Sequence, residues 1–239
     1  MANKEKDKVI RGVTPKGVAI YPWLTTPDTK FNKNGDYRVT LKLEAADAEA
    51  FKETIDNATA DVEEKTKAEL NGKLKEATTG REKAKLKKAL ENMRVLVPYK
   101  ESVDDEGEPT GDYEFNFKSA ASFTDSKTGK VIPRTLKIFD AKKKEITGNV
   151  AIFGGSIIKV AYTVSPYYIA AQDAVGVRLQ MNAVQVIELN SGAAGGTADS
   201  YGFDEEDGYT GEESTEEESS NSTGTDEPSD SDEEENDDF

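Results

Sequence analysis

The chain has 239 residues, with 31 Lys or Arg, 47 Asp or Glu, no Cys and no His. That composition excludes a disulfide framework, thiolate or imidazole metal sites, a thiol nucleophile and a Ser-His-Asp triad. The charge is split along the chain: residues 1–190 hold all 31 bases and 28 acids, a net of +3, whereas residues 191–239 hold 19 acids and no base.

The start, Met1 to Lys8, lacks the apolar stretch of a signal peptide, and no run approaches the ~18–20 apolar residues of a membrane span. This predicts a soluble cytoplasmic protein with no membrane association. Val9 to Tyr21 is rich in Val and Ile and is broken by Gly12, Pro15 and Gly17, so a bent strand or a pair of strands is expected. Trp23 to Asn34, with Pro22 before it, Pro27 inside it and an Asn-Lys-Asn-Gly turn at its end, reads as a loop. Tyr37 to Leu43 alternates strictly: Tyr37, Val39, Leu41 and Leu43 share one face, and Arg38, Thr40 and Lys42 the other. That period of two predicts a half-buried strand.

The period then changes. Asp47 is placed to cap a helix, and Phe51, Ile55, Ala58 and Val62 form one apolar stripe that Leu70 and Leu74 continue. Asn71-Gly72 and Thr78-Thr79-Gly80 are its expected weak points. A second helix is expected over about Arg81 to Met93, crowded with Arg81, Lys83, Lys85, Lys87 and Lys88. Those bases form either a solvated face or a landing strip for phosphates.

Tyr99 to Asp112 reads as an acidic loop containing Pro and Gly. Strands are expected at Tyr113 to Phe123, Pro133 to Phe139, Ile157 to Tyr168 and Val175 to Leu189. Turns fall at Asp125 to Lys130, Asp140 to Lys144 and Phe153 to Ser156. Five or more strands around a helical segment predict a mainly β domain over 1–190, with a helical insertion over about 46–93. The expected architecture is a five-stranded Greek-key barrel, the OB-fold. Residues 191–239 are too polar and too charged to fold alone, which predicts a disordered acidic tail ending in Asp237, Asp238 and Phe239.

No Gly-x-x-x-x-Gly-Lys phosphate loop and no Gly-x-Gly-x-x-Gly occurs, and the acids near Gly208 miss the register of a calcium loop. Neither enzyme activity nor a cofactor is expected. What the body offers is rings mixed with bases. Tyr21 and Trp23 lie at a strand end, Arg38 is on the polar face of its strand, Lys118 adjoins Phe117, and Tyr162, Tyr167 and Tyr168 sit close to Lys159. Single-stranded nucleic acid needs such a surface, because phosphates want positive charge and unpaired bases want flat rings. Phe115, Phe117, Phe139 and Tyr162 are expected in the core. Trp23, Tyr167 and Tyr168, following Pro22 and Pro166, are expected in exposed loops.

Five ordered blocks carry a resemblance: Tyr21 to Asp28 (YPWLTTPD), Gly35 to Leu43 (GDYRVTLKL), Phe115 to Phe123 (FNFKSAASF), Ile152 to Tyr167 (IFGGSIIKVAYTVSPY) and Val175 to Leu189. With the Asp-Asp-Phe terminus, they resemble the T7-type bacteriophage single-stranded DNA-binding proteins. The resemblance implies an OB-fold, preferential binding of single-stranded DNA, strand annealing, a homodimer, and roles in DNA replication, recombination and repair. It also implies tail contacts with the phage DNA polymerase and primase-helicase, in the cytoplasm of an infected bacterial host. Family DNA contacts carry over to Lys118 and Tyr167, and the tail tip to Phe239. A family aromatic two positions after Tyr167 is Ile169 here. Two other readings of the residues stay open: an RNA-binding chaperone, and an interaction protein whose tail mimics DNA.

Overall fold

The structure is a computed structural model that describes residues 9–148 and 150–192. The sites expected at Asp237, Asp238 and Phe239 lie outside the described residues. Among the described residues the protein is mainly β with two helices. In chain order the elements are β1 (Arg11–Val13), β2 (Gly17–Asp28), β3 (Asp36–Leu43), α1 (Ala45–Glu76), α2 (Gly80–Glu91), β4 (Arg94–Leu96), β5 (Tyr99–Val103) and β6 (Pro109–Ala120). They continue with β7 (Ser122–Thr124), β8 (Val131–Pro133), β9 (Lys137–Phe139), β10 (Ile157–Ile169) and β11 (Ala174–Glu188).

Five of these strands close a circuit: β2 pairs β3, β3 pairs β6, β6 pairs β11, β11 pairs β10, and β10 returns to β2. Every step is antiparallel except β6–β11, where Leu179 lies beside Phe117 and Gln180 beside Lys118. The long hairpin β10–β11 pairs from Ile157↔Glu188 to Ile169↔Ala174. The return seam is short, with only Ile157↔Val18 and Ile158↔Gly17. Gly17 is required there, since a Cβ would sit 2.6 Å from the Lys42 carbonyl oxygen. Buried Ser156 latches the same corner by donating to the Phe153 carbonyl (2.8 Å) and accepting from the Asn190 amide (3.0 Å).

The alternation expected of β3 is present: Tyr37, Val39, Leu41 and Leu43 are buried and Arg38, Thr40 and Lys42 point outward. The interior is filled by Leu41, Phe115, Phe117, Ile158, Val160, Leu179 and Met181. Helix α1 adds Phe51 and Ile55 to this interior. The Phe51 ring packs at 4.7 Å from Phe115, 5.0 Å from Tyr162 and 6.2 Å from Phe117, centroid to centroid. Those contacts explain why the Phe51, Ile55, Ala58 stripe faces inward.

Several expectations are corrected. The segment from Trp23 is strand, not loop: β2 runs through Pro22 and Pro27 to Asp28. Register shifts between Ile20 and Trp23 and between Trp23 and Asp28 leave both prolines off the ladder, where a missing N–H costs nothing. Tyr21 makes the first shift at a positive φ of 48°. Tyr167 and Tyr168 also lie in a strand, paired with Gly176 and Val175. Residues 99–112 contribute strand β5 and the start of β6, turning at Asp104 to Gly107, where Asp104 accepts from the Glu106 and Glu108 amides. Asp47 is in the first turn of α1, but the N-cap is Glu44 and makes no side-chain cap. The helix passes unbroken through Asn71 and Gly72 and ends at Glu76. The expected break at Thr79 is real, and its hydroxyl accepts from the Glu82 amide to cap α2. Residues 133–139 form the ends of two short strands rather than one.

Candidate nucleic-acid interface

The circuit brings outward residues from four strands into one cross-strand row. Trp23 on β2 pairs Arg38 on β3, Arg38 pairs Lys118 on β6, Lys118 pairs Gln180 on β11, and Gln180 pairs Thr163 on β10. Period-two alternation explains why these positions share a face while Val39, Phe117 and Leu179 fill the interior. The next row holds Thr40 and Asn116, which hydrogen-bond at 2.9 Å. Beside it a cleft of about 510 Å³ is lined by Lys118, Arg134, Arg178 and Gln180, with Asp36 at its edge. Arg178 is exposed, and its guanidinium lies 5.9 Å from the Tyr167 ring centroid. Tyr167 is therefore joined to the cationic cleft.

The bases of the row are held by carboxylates. Arg38 contacts Asp28 at 2.6 Å and Lys118 contacts Asp36 at 2.9 Å. Both acids are nearly buried, and the Lys118 side chain is 66% exposed. Asp36 also accepts from the Asn32 side chain at 3.1 Å, so it is fixed in place before any ligand arrives. The Arg38 Nε–H is buried without a hydrogen-bond partner among the described residues.

Two ring groups flank the row. Tyr21, Trp23 and Phe153 line one cleft of about 630 Å³, with Tyr21 81% and Trp23 41% exposed. On the loop joining β2 to β3, Phe31 is 82% exposed and the Lys30 ammonium sits 5.3 Å from its ring. Exposed rings next to bases are the geometry that base stacking with phosphate neutralisation requires.

Of the residues singled out from sequence, Tyr21, Trp23, Arg38, Lys118 and Tyr167 lie on or beside this surface. Lys159 does not, because it lines a different cleft with Val13, Phe139 and Lys143. Tyr168 shares a cleft against α1 with Tyr167, Val62 and Thr66, and also lines a cleft with Lys85 and Leu86. Burial, then the nearby Asp173 carboxylate, raises its phenol above the ordinary value. Sequence reasoning missed Arg134, Arg178, Phe31 and Phe153. For Phe31 the signal was present, a ring between Lys30 and Lys33 in a polar loop. Arg178 and Arg134 gave none, since only the β6–β11 pairing and the β7–β8 hairpin bring them to Lys118.

Residues 16–189 match the family described as single-stranded DNA-binding protein, bacteriophage T7. The chain is 34% identical over 119 residues to the single-stranded DNA-binding protein of Enterobacteria phage T3, covering 50% of this chain and 51% of that protein. It is 34% identical over 115 residues to that of Escherichia phage T7, covering 48% and 49%. The matches thus span about half the length of these curated relatives. The fold is similar to the crystal structure of gp2.5, a single-stranded DNA-binding protein encoded by bacteriophage T7. That likeness has a TM-score of 0.59 at 24% identity and covers 75% of this chain and 92% of that one.

Proposed function

The chain belongs to the bacteriophage T7 single-stranded DNA-binding protein family, binders rather than enzymes, and from that premise we propose that it binds single-stranded DNA across the Trp23–Arg38–Lys118–Gln180 row. The carrying observation is that row itself, continued by Arg178 and Tyr167. Phosphates lie along Arg38, Lys118 and Arg178, and unpaired bases stack on Trp23, Tyr167 and Phe31. Stacking and phosphate contacts carry no base identity, so sequence preference is weak.

The closed five-strand circuit is an OB-fold in this reading, and its outer β3–β6 face with the β2–β3 and β10–β11 connections is where such barrels take oligonucleotides. The acidic tail, 19 acids against a body of +3, competes with phosphate for this surface. Its tip, Asp237, Asp238 and Phe239, engages the phage polymerase and primase-helicase. Strand annealing, a homodimer, service in replication, recombination and repair, and residence in the cytoplasm of the infected host complete the proposal.

The test is titration of fluorescent oligo-dT. Tyr167→Ala should weaken binding by about 1–3 kcal/mol, roughly 5- to 150-fold, if the ring stacks on a base. Arg178→Ala should weaken it and flatten its salt dependence. Tighter binding to duplex DNA, or to an RNA of the same length, would refute the proposal.

A further inference from the structure

Helix α2 is the motif this function leaves unused. It carries Arg81, Lys83, Lys85, Lys87 and Lys88 in 12 residues, all exposed. Among the described residues none of the five has a carboxylate within ion-pair distance. By contrast Arg38, Lys42, Lys52, Lys67, Lys100, Lys118 and Lys137 are all paired. Glu82, the acid nearest the helix start, is turned back onto Thr79. Arg81 with Lys85 and Lys83 with Lys87 are like-charged pairs at i,i+4, an arrangement that opposes the helix. A helix held together against its own charge has its compensation elsewhere.

Its position identifies the counter-charge. Helix α2 leads through Asn92 into β4, and β4 pairs β11 at Arg94↔Ala174 and Leu96↔Gly176. Gly176 is also the partner of Tyr167, and a Cβ there would lie 3.0 Å from the Tyr167 hydroxyl. The C-terminal end of the helix therefore leads to the place where the row of bases and rings ends. Lys73 and Lys85 share a cleft of about 600 Å³ with Tyr168 and with the acids Glu76, Glu82 and Asp173 at the β10–β11 tip, so the phosphate-facing bases are those of the outer stripe. Arg81, Lys85 and Lys88 recur at i, i+4 and i+7, so they form one stripe about 10 Å long on one face.

Resting on the reading of the barrel face above, we infer that α2 is a second phosphate-binding subsite for single-stranded DNA. A strand stacked on Tyr167 continues round the β10–β11 tip onto the Arg81–Lys85–Lys88 stripe. The acidic tail is the other polyanion at hand, and it is rooted at the opposite end of β11. Gly192 lies against Phe153, at the far end of the 15-residue β11, about 50 Å of strand away from Ala174.

The experiment compares the full chain with the variant Arg81→Gln, Lys85→Gln, Lys88→Gln on oligo-dT of about 6 and about 16 nucleotides, lengths that bracket one barrel's site. Glutamine keeps helix propensity, and circular dichroism checks the fold. On the long oligomer, affinity should fall roughly 10- to 100-fold near 0.1 M salt, and the salt slope should flatten by about 2, at ~0.7 per lost phosphate contact. On the short oligomer, affinity should stay within about twofold, as neither Tyr167 nor the barrel row is altered. Lys83→Gln with Lys87→Gln, off the stripe, should cost less. Equal losses on both lengths, or no loss on the long one, would overturn the inference. So would a gain on both that vanishes when residues 193–239 are deleted, which would assign α2 to the tail. Failure of the wild type to bind even the short oligomer would sink the barrel site and this subsite together.

Discussion

Replacing Asp36 with Asn tests whether the carboxylates of the row compete with DNA. Asp36 contacts the Lys118 ammonium at 2.9 Å, with the Lys118 side chain 66% exposed and Asp36 11%. A pair so open to water is worth about 0.2–1 kcal/mol. A phosphate that takes over Lys118 must give up that energy, so Asp36→Asn should tighten oligo-dT binding by about 1.4- to 5-fold at low salt. The gain should fade as salt rises towards 1 M and the Debye length shrinks to ~3 Å. Asparagine fills the same volume and retains a carbonyl for the Asn32 contact, so the melting temperature should move little. The assay is fluorescence anisotropy over a salt series, with Lys118→Ala and the double variant completing a cycle. In the Lys118→Ala background the gain should shrink, because the lysine it acts through is gone. A loss of affinity in Asp36→Asn, or an undiminished gain without Lys118, would refute the competition.

Phe51→Ala should cost about 3–5 kcal/mol of stability, since it strips three ring contacts from a buried site, and the melt should drop by roughly 6–20 °C. Burial raises the phenols of Tyr99 and Tyr162 above 10, and for Tyr99 a hydrogen bond to Asp56 adds to it. The folded state holds these protons more tightly than the unfolded chain, so their stabilisation is complete below pH 10 and is lost as pH rises through the raised values. Phenolate absorbance followed beside thermal melts checks this. Deleting residues 193–239 should strengthen oligo-dT binding at low salt, and equal affinity in the truncated protein would end the masking proposal. Removing Phe239 alone should leave the melt and DNA affinity nearly unchanged while weakening capture of the cognate polymerase and helicase in a surface-binding assay.

What was legible in the sequence was whatever one period of a regular element could carry. The alternation from Tyr37 to Leu43, the Phe51–Ile55–Ala58 stripe and the Thr79 break each state their own environment locally. Pro22 and Pro27 misled because proline was read as ending a strand, whereas register shifts absorb both. Residues 99–112 misled because their acids and glycines masked a hairpin stabilised from outside, by pairing with β6. For the candidate site, Trp23, Arg38 and Lys118 were visible as types, but their alignment depends on register across three strands. Lys159 was attached to Tyr167 and Tyr168 by closeness in sequence. It sits eight residues before Tyr167 along β10, with a bulge between them, and the strand carries it to another cleft. Arg178 could not be found at all, because a parallel contact between β6 and β11 leaves no local trace.

The seam between β2 and β10 has two residue pairs, whereas the β10–β11 hairpin has thirteen. The parallel β6–β11 step is as thin, with two pairs, so the ring does not fail uniformly: the amide of Ala19, which donates across the β2–β10 seam to Ser156, should exchange with solvent through local opening long before those inside the hairpin. Opening there yields a curled open sheet, not an unfolded chain. Opening of the β2–β10 seam leaves Arg38 and Lys118 at their spacing, held by the eight-pair β3–β6 ladder, whereas Lys118 and Gln180 depend on the other thin joint. Closure at the β2–β10 seam and the Arg38–Lys118 spacing are separable properties, and the first can fluctuate without dismantling the second.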